Sequence, residues 1–114
     1  MSRDVEWLLD ILEASKRAVM FVTGKTEEEF HEDIECQYAV TRTIEIIGEA
    51  ARRISDHTRN LHPELPWRDM ISMRNRLIHE YDDVDLALVW ETVSDDLPHL
   101  ISLIEPLVPP EQQG

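Results

Sequence analysis

The sequence of 114 residues contains few of the residues that interrupt helices or cross-link a chain. There are only 3 Gly and 2 Phe, whereas Leu, Ile, Glu and Ala are frequent, and this composition favours an all-helical protein. The single cysteine, Cys36, cannot form a disulfide within the chain. Helical phasing places Cys36 beside Val40, Ile47 and Ile54, so we expect it to be a small core residue. Nothing in the cysteine content indicates an oxidising compartment.

Long hydrophobic runs are also missing. No apolar stretch approaches the roughly 18 residues that a membrane span requires. Residues 1–10 carry acidic side chains instead of the basic start that is typical of a signal peptide. We therefore expect a cytoplasmic protein, and at this length we expect one domain with a single core.

Basic residues are scarce overall but concentrated in one segment. The chain has 24 acidic and 11 basic residues and a formal net charge of −13, and a uniformly acidic surface would repel the phosphates of a nucleic acid. Six of the basic residues, however, lie between positions 52 and 76 against three acidic ones, so this segment carries +3 and the remainder −16. A basic stripe on an acidic body suits a cleft that takes one strand. For the acidic residues outside this segment, the simpler explanation is that they only keep the protein soluble.

Hydrophobic periodicity predicts an up-and-down antiparallel bundle of four to five helices. The first helix is expected over residues 3–22, before Gly24, and Thr26 with Glu29 has the spacing of a capping box for a short helix. A long helix is expected over 34–58. Gly48 lies at the edge of its core face, where it permits a close helix crossing or the approach of a ligand, and we favour the crossing.

Prolines and aspartates divide the second half of the chain. The proline-containing turn 62–66 precedes a helix expected over 66–81, and Asp85 is the expected N-cap of the last helix. Pro98 should kink that helix, and Pro106 should end it. We expect the helical domain to span residues 1–107 and residues 108–114 to form a flexible C-terminal tail.

The most informative segment is 73–81, because an arginine occupies a position where an amphipathic helix should be apolar. At about 100° per residue, Arg74 lies among large apolar or aromatic side chains. These are Trp67, Met70, Ile71, Met73, Leu77, Ile78 and Tyr81. A buried guanidinium requires a partner, which can be a carboxylate, a second subunit or a bound anion such as phosphate. Asn75 and His79, four residues apart, line an adjacent stripe of the same helix.

The spacing Arg-x4-His-x-Tyr, with a polar residue directly after the arginine, resembles the signature of the HEPN superfamily, in particular of the HepT-like toxins of HEPN/MNT toxin–antitoxin pairs. The resemblance covers roughly residues 4–104, including segments 43–51, 63–68 and 84–90. It implies a HEPN-like helical bundle that cleaves RNA as a homodimer, without a metal or another cofactor. It further implies that Arg74 anchors phosphate, His79 acts as acid and base, and Asn75 positions the substrate. Tyr81 would accept AMP from a partner nucleotidyltransferase antitoxin, with which the toxin would form a larger hetero-oligomer.

Metal-independent RNA cleavage requires a base, an acid and positive charge near the phosphate. Arg74 and His79 supply two of these, and a two-fold dimer of the motif helix would bring together two copies of each. His79 with the aspartates at 82, 83 and 85 lacks the spacing of a metal site, so we interpret these aspartates as solvated helix caps.

The alternative is a non-catalytic helical adaptor. In that case Arg74 would form a buried structural ion pair, and the acidic surface would bind a nucleotidyltransferase or another protein. Such an adaptor could also bind a nucleotide. The two interpretations differ in whether Arg74 and His79 of two subunits converge on an open cleft that an anion can enter.

Overall fold

The computed structural model describes residues 3–79 and 83–113, and these form an all-α bundle, as predicted. The α-helices are α1 (Asp4–Val22), α2 (Glu27–Glu32), α3 (Ile34–Arg53), α4 (Asp56–Leu61), α5 (Trp67–His79), α6 (Leu86–Glu91) and α7 (Leu97–Ile104). A π-helical turn, Thr92–Asp96, joins α6 to α7, and 3₁₀ turns follow at Glu105–Leu107 and Pro110–Gln112. No helix in the described ranges is long and apolar enough to cross a membrane.

Helix α3 is the centre of the bundle. It packs against α1 on one side and α5 on the other, and α7 packs against α1. The core between these helices is mostly aliphatic, the aromatic side chains of Phe30 and Trp67 are buried in it, and Cys36 lies within it, as predicted. Its most deeply buried large side chains include Ile11, Leu12, Phe30, Val40, Val89, Val93 and Ile104.

Side-chain caps fix where several helices begin. The Thr26 hydroxyl accepts from the backbone N–H of Glu29, whose carboxylate accepts from the N–H of Thr26, so the predicted capping box is confirmed. The Asp85 carboxylate accepts from the N–H of Leu88, so the predicted N-cap of the last helix is also confirmed. Asp33 caps α3 in the same way, through the N–H of Cys36. Each cap satisfies a backbone donor that the first helical turn leaves unpaired.

The prediction of one helix over residues 34–58 is wrong, because α3 ends at Arg53 and α4 starts at Asp56. The corner is built by Asp4 at the start of α1. Its carboxylate accepts from the backbone N–H of Ser55 (3.1 Å), from the Ser55 hydroxyl (2.6 Å) and from the Thr58 hydroxyl. The Arg59 guanidinium donates to two carbonyl oxygens in the last turn of α3, at 2.9 Å each. Helix periodicity carries no sign of these contacts, because Asp4 is 51 residues from Ser55.

Replacement of Asp4 by alanine should lower the free energy of unfolding by about 3 kcal/mol, because it removes a buried charged acceptor and leaves its donors without a partner. Chemical denaturation measures the loss. Asp10→Ala is the control on the same helix. Desolvation, and then Glu13 and Glu6, raise the pKa of the Asp10 carboxyl, so its removal should cost nothing. Equal stability of the two variants would contradict this account of the corner.

The last helix is interrupted next to Pro98, where a kink was predicted. The interruption takes the form of the π-helical turn Thr92–Asp96, and Pro98 stands in the first turn of α7, where a missing backbone N–H is tolerated. Past the predicted domain end at residue 107, Val108 is buried and the Gln113 amide donates to the Val108 carbonyl at 2.8 Å. The core therefore includes Val108, and the flexible tail stays a prediction.

Candidate active site

Gly48 sets the position of α5 against α3. A Cβ atom at residue 48 would overlap the side chain of Arg74 and lie 2.7 Å from the carbonyl oxygen of Met70. Only a residue without a side chain permits this approach. The predicted close helix crossing at Gly48 is confirmed, and it places the stem of Arg74 directly on the α3 backbone.

The Arg74 guanidinium makes its contacts within this single chain. Its Nη2 atom lies 3.2 Å from Oε2 of Glu49 on α3, and its Nη1 atom donates to Oδ1 of Asn75 at 2.9 Å. Of the three partners that the sequence left open for Arg74, the structure therefore supplies a carboxylate. The Arg74 side chain remains 27% exposed, so the guanidinium is oriented by protein groups and can still be reached by solvent.

Glu49 also accepts hydrogen bonds from two neighbouring arginines. Arg52 Nη2 lies 3.0 Å and Arg53 Nε lies 2.9 Å from its Oε1 atom. The hydrogen bonds from Arg52, and then those from Arg53, hold the pKa of the Glu49 carboxyl below its usual range. We call Arg52, Arg53, Arg74 and Glu49 the arginine cluster. With three guanidinium groups and one carboxylate, it has a net charge of +2.

The sequence alone does not identify Glu49 as the partner of Arg74. Helical phasing showed that Arg74 needed a partner but not which of the 24 acidic side chains supplies it. The one available signal was Gly48, since a residue next to a helix crossing is close to the partner helix. Gly48 predicts the crossing but not the ion pair beside it.

Asn75 and His79 lie on the outer side of α5. Both side chains are exposed, and they are one helical turn apart. Within the described part of the chain, no side-chain hydrogen bond or ion pair involves the His79 imidazole. Tyr81 lies outside the described residues, as does the predicted helix end at that residue.

The apolar face of α5 is only partly covered. Of the seven apolar or aromatic residues that flank Arg74 by phase, Trp67, Met70 and Leu77 are buried, and Ile71 and Met73 are partly buried. Ile78 is 42% exposed, although its phase favours the core. The core of one chain therefore does not use the whole stripe, and the uncovered part is next to His79.

An apolar cleft of about 570 Å³ lies on another side of α5, between this helix, α3 and the α6–α7 segment. Its apolar wall includes Ile47, Met73 and Leu100, and Arg76 and Asp95 are among the charged side chains that line it. Neither Arg74 nor His79 lines this cleft. Among the residues that the structure describes, no three His, Cys, Asp or Glu side chains group closely enough to hold a metal ion.

A helical bundle that presents an arginine, an adjacent amide and a histidine five residues after the arginine on one helix has the organisation expected for the HEPN class. The chain belongs to the family described as Ribonuclease HepT-like, which matches residues 11–107. This confirms the family resemblance and the predicted membership of a ribonuclease family.

Relatives of known name agree with this assignment. The chain is 43% identical to a probable ribonuclease HepT of Thermococcus cleftensis, over 90% of this chain and 93% of that protein. It is 39% identical to a putative RNase of Methanocaldococcus jannaschii, over 90% and 95% of the two chains. A putative RNase of Caldanaerobacter subterraneus is 32% identical, over 93% and 95%. No solved structure matches the chain.

Proposed function

We propose that this protein is a metal-independent endoribonuclease and the toxin of a toxin–antitoxin pair, acting through Arg74, Asn75 and His79. The observation that carries the proposal is the orientation and exposure of the Arg74 guanidinium. Its guanidinium is oriented by Glu49 and Asn75, remains 27% exposed, and belongs to the helix that presents the exposed His79. An oriented cation and an exposed imidazole on the same helix suit a phosphodiester substrate.

The proposed reaction uses the 2′-hydroxyl of RNA as nucleophile. A histidine takes the proton of this hydroxyl, the 2′-oxygen attacks phosphorus, and the bond from phosphorus to the 5′-oxygen breaks. A protonated histidine gives its proton to the leaving 5′-oxygen, which leaves a 2′,3′-cyclic phosphate on the other fragment. Arg74 stabilises the negative charge that develops on the phosphoryl oxygens, and Asn75 positions the substrate.

One chain supplies one His79, so separate acid and base groups require a second subunit. We propose a two-fold homodimer in which two copies of α5 face one scissile phosphate. The partly covered apolar face of α5, with Ile78 exposed next to His79, supports an interface at this position. A monomer by light scattering at micromolar concentration would contradict the composite site.

Control by a partner nucleotidyltransferase antitoxin is proposed at Tyr81, by transfer of AMP to the phenol oxygen. A phosphodiester at Tyr81, two residues after His79, adds negative charge and bulk beside the proposed site and should block RNA. Co-expression with such an antitoxin should add AMP to the intact mass of the wild type but not of Tyr81→Phe. The variant should also remain toxic beside the antitoxin. An unmodified wild type would leave direct binding as the means of control.

The proposed activity is tested by incubating the purified protein with total tRNA and mRNA and mapping the cut ends. The rival function is a non-catalytic adaptor that binds a nucleotidyltransferase or a nucleotide. One observation favours this rival, because the ion pair between Arg74 and Glu49 accounts for the arginine without any substrate. Intact RNA after incubation with well-folded protein would favour the adaptor.

A further inference from the structure

We propose that Arg52 and Arg53 form an additional phosphate-binding subsite for RNA, which Glu49 holds beside Arg74. The inference rests on the proposed function, because it adds a contact for the strand that Arg74 and His79 cleave. It assigns a substrate-binding role to the last turn of α3, on a helix that carries none of the motif residues.

Geometry brings the three arginines of the arginine cluster together. Because the guanidinium groups of Arg52, Arg53 and Arg74 all contact the carboxylate of Glu49, they are adjacent although they come from two helices. A strand whose phosphate lies at Arg74 can therefore place a neighbouring phosphate at Arg52 or Arg53. The crossing at Gly48 fixes the relative position of the two helices that supply these groups.

Among the contacts of the described residues, both subsite arginines leave N–H donors unused. Each guanidinium has five N–H donors. Arg52 contacts Glu49 through Nε and Nη2, whereas Arg53 contacts it through Nε. The side chains are 53% and 50% exposed. The Arg53 guanidinium is also 5.4 Å from the ring centre of Trp7, which restricts its motion. The remaining N–H groups can thus bind a phosphate without breaking the contacts to Glu49.

Ordinary helix stabilisation does not explain the excess positive charge. Elsewhere, Glu13 pairs with Arg17, and Glu45 pairs with Arg42, in one-to-one contacts at similar helical spacing. One arginine in the last turn is enough for such a pair and for the helix dipole. Three arginines around one carboxylate repel one another, and the net +2 that results lies on a chain with a net charge of −13. This arrangement suits an anionic ligand.

The test measures binding of a short 2′-O-methyl oligoribonucleotide, which lacks the nucleophile and cannot be cleaved by the proposed reaction. Fluorescence anisotropy over a range of salt concentrations gives the slope of log affinity against log salt. Arg52→Gln/Arg53→Gln should reduce the magnitude of this slope by about 0.7, because the variant loses the one phosphate that the subsite neutralises and each neutralised phosphate of a single strand contributes about 0.7. The control variant Arg17→Gln/Arg42→Gln removes the same two positive charges elsewhere on the chain and should leave the slope unchanged.

Glu49→Gln provides a second measurement, in which the affinity for the oligonucleotide should rise instead of fall. The amide keeps a hydrogen-bond acceptor for the arginines but removes the negative charge, so the oligonucleotide should bind about fivefold more tightly, as for an exposed charge pair of about 1 kcal/mol. A role in stability alone predicts no gain in affinity. Unchanged or weaker binding by Glu49→Gln would overturn the inference.

Further results of these experiments would refute either the subsite or the ribonuclease activity. The subsite is refuted if Arg52→Gln/Arg53→Gln keeps the wild-type slope, if Arg17→Gln/Arg42→Gln loses as much of the slope, or if the wild type does not bind. Cleavage of unmodified RNA by the wild type is measured separately. A wild type that binds with the predicted slopes but cuts nothing refutes the ribonuclease and leaves the subsite intact. A wild type that cuts RNA while Arg52→Gln/Arg53→Gln keeps the wild-type slope refutes only the subsite.

Discussion

Replacement of His79 by alanine is expected to slow RNA cleavage at least about 100-fold, because general acid and base catalysis typically contributes factors of about 10² to 10⁴. His79 is exposed, so the free energy of unfolding should change by no more than about 0.5 kcal/mol. Single-turnover cleavage and thermal melting, measured on the same preparation, separate the two effects. His57→Ala removes another exposed histidine, on α4, and should leave the cleavage rate unchanged.

Arg74→Ala should reduce cleavage by a similar factor, about 10² to 10³, because it removes the charge that stabilises the phosphoryl oxygens. The loss of stability should be small, since Glu49 retains Arg52 and Arg53 as partners. If Arg74→Ala instead lowered the melting temperature by many degrees and cleavage continued, Arg74 would be a structural residue and the adaptor would be the better account.

Gly48→Ala is expected to lower the free energy of unfolding and to remove activity together. Overpacking at the helix crossing should cost about 3 kcal/mol, while the better helix propensity of alanine returns about 1 kcal/mol. The net loss of about 2 kcal/mol should lower the melting temperature by roughly 5–15 °C. Because the new methyl group would overlap the Arg74 side chain and the backbone carbonyl of Met70, α5 must shift, and Arg74 must shift with it.

Gly24→Ala is the matched control for this substitution. Gly24 has a φ of +81° and no atom within 4 Å of a Cβ built on it, so alanine meets strain in the backbone but no crowding. It should cost about 1–2 kcal/mol and leave the cleavage rate of the folded protein unchanged. A Gly48→Ala protein with wild-type stability and activity would contradict the close contact between α3 and α5.

Local signals in the sequence were enough to predict much of the bundle. Periodicity gave the long helices, and the caps at Thr26 and Asp85 depend only on residues three positions away. The end of α3 could not be found in this way, because Asp4, which holds the corner at Ser55, is 51 residues away in the sequence. Gly48 lies between these cases, since its position in mid-helix predicted a crossing but could not identify the helix that crosses.

In the candidate site, too, local features were predictable from the sequence and contacts between helices were not. The phase of Arg74 indicated an unusual environment, and the motif indicated Asn75 and His79. The pairing of Arg74 with Glu49 depends on how α5 crosses α3, which a single sequence does not encode locally. Phase also favoured a buried Ile78, whereas the structure leaves it 42% exposed. A helical pattern shows which side chains share a face but not how much of that face one chain covers.

The most direct test of the central claim is the chemistry of the RNA ends. Purified wild type and His79→Ala are incubated with RNA in excess EDTA, and the 3′ ends of the fragments are mapped for 2′,3′-cyclic phosphate. The account predicts that the wild type cuts under these conditions and leaves cyclic phosphates, and that His79→Ala leaves the RNA intact. Cleavage that EDTA abolishes, or equal cleavage by the His79→Ala protein, would contradict it.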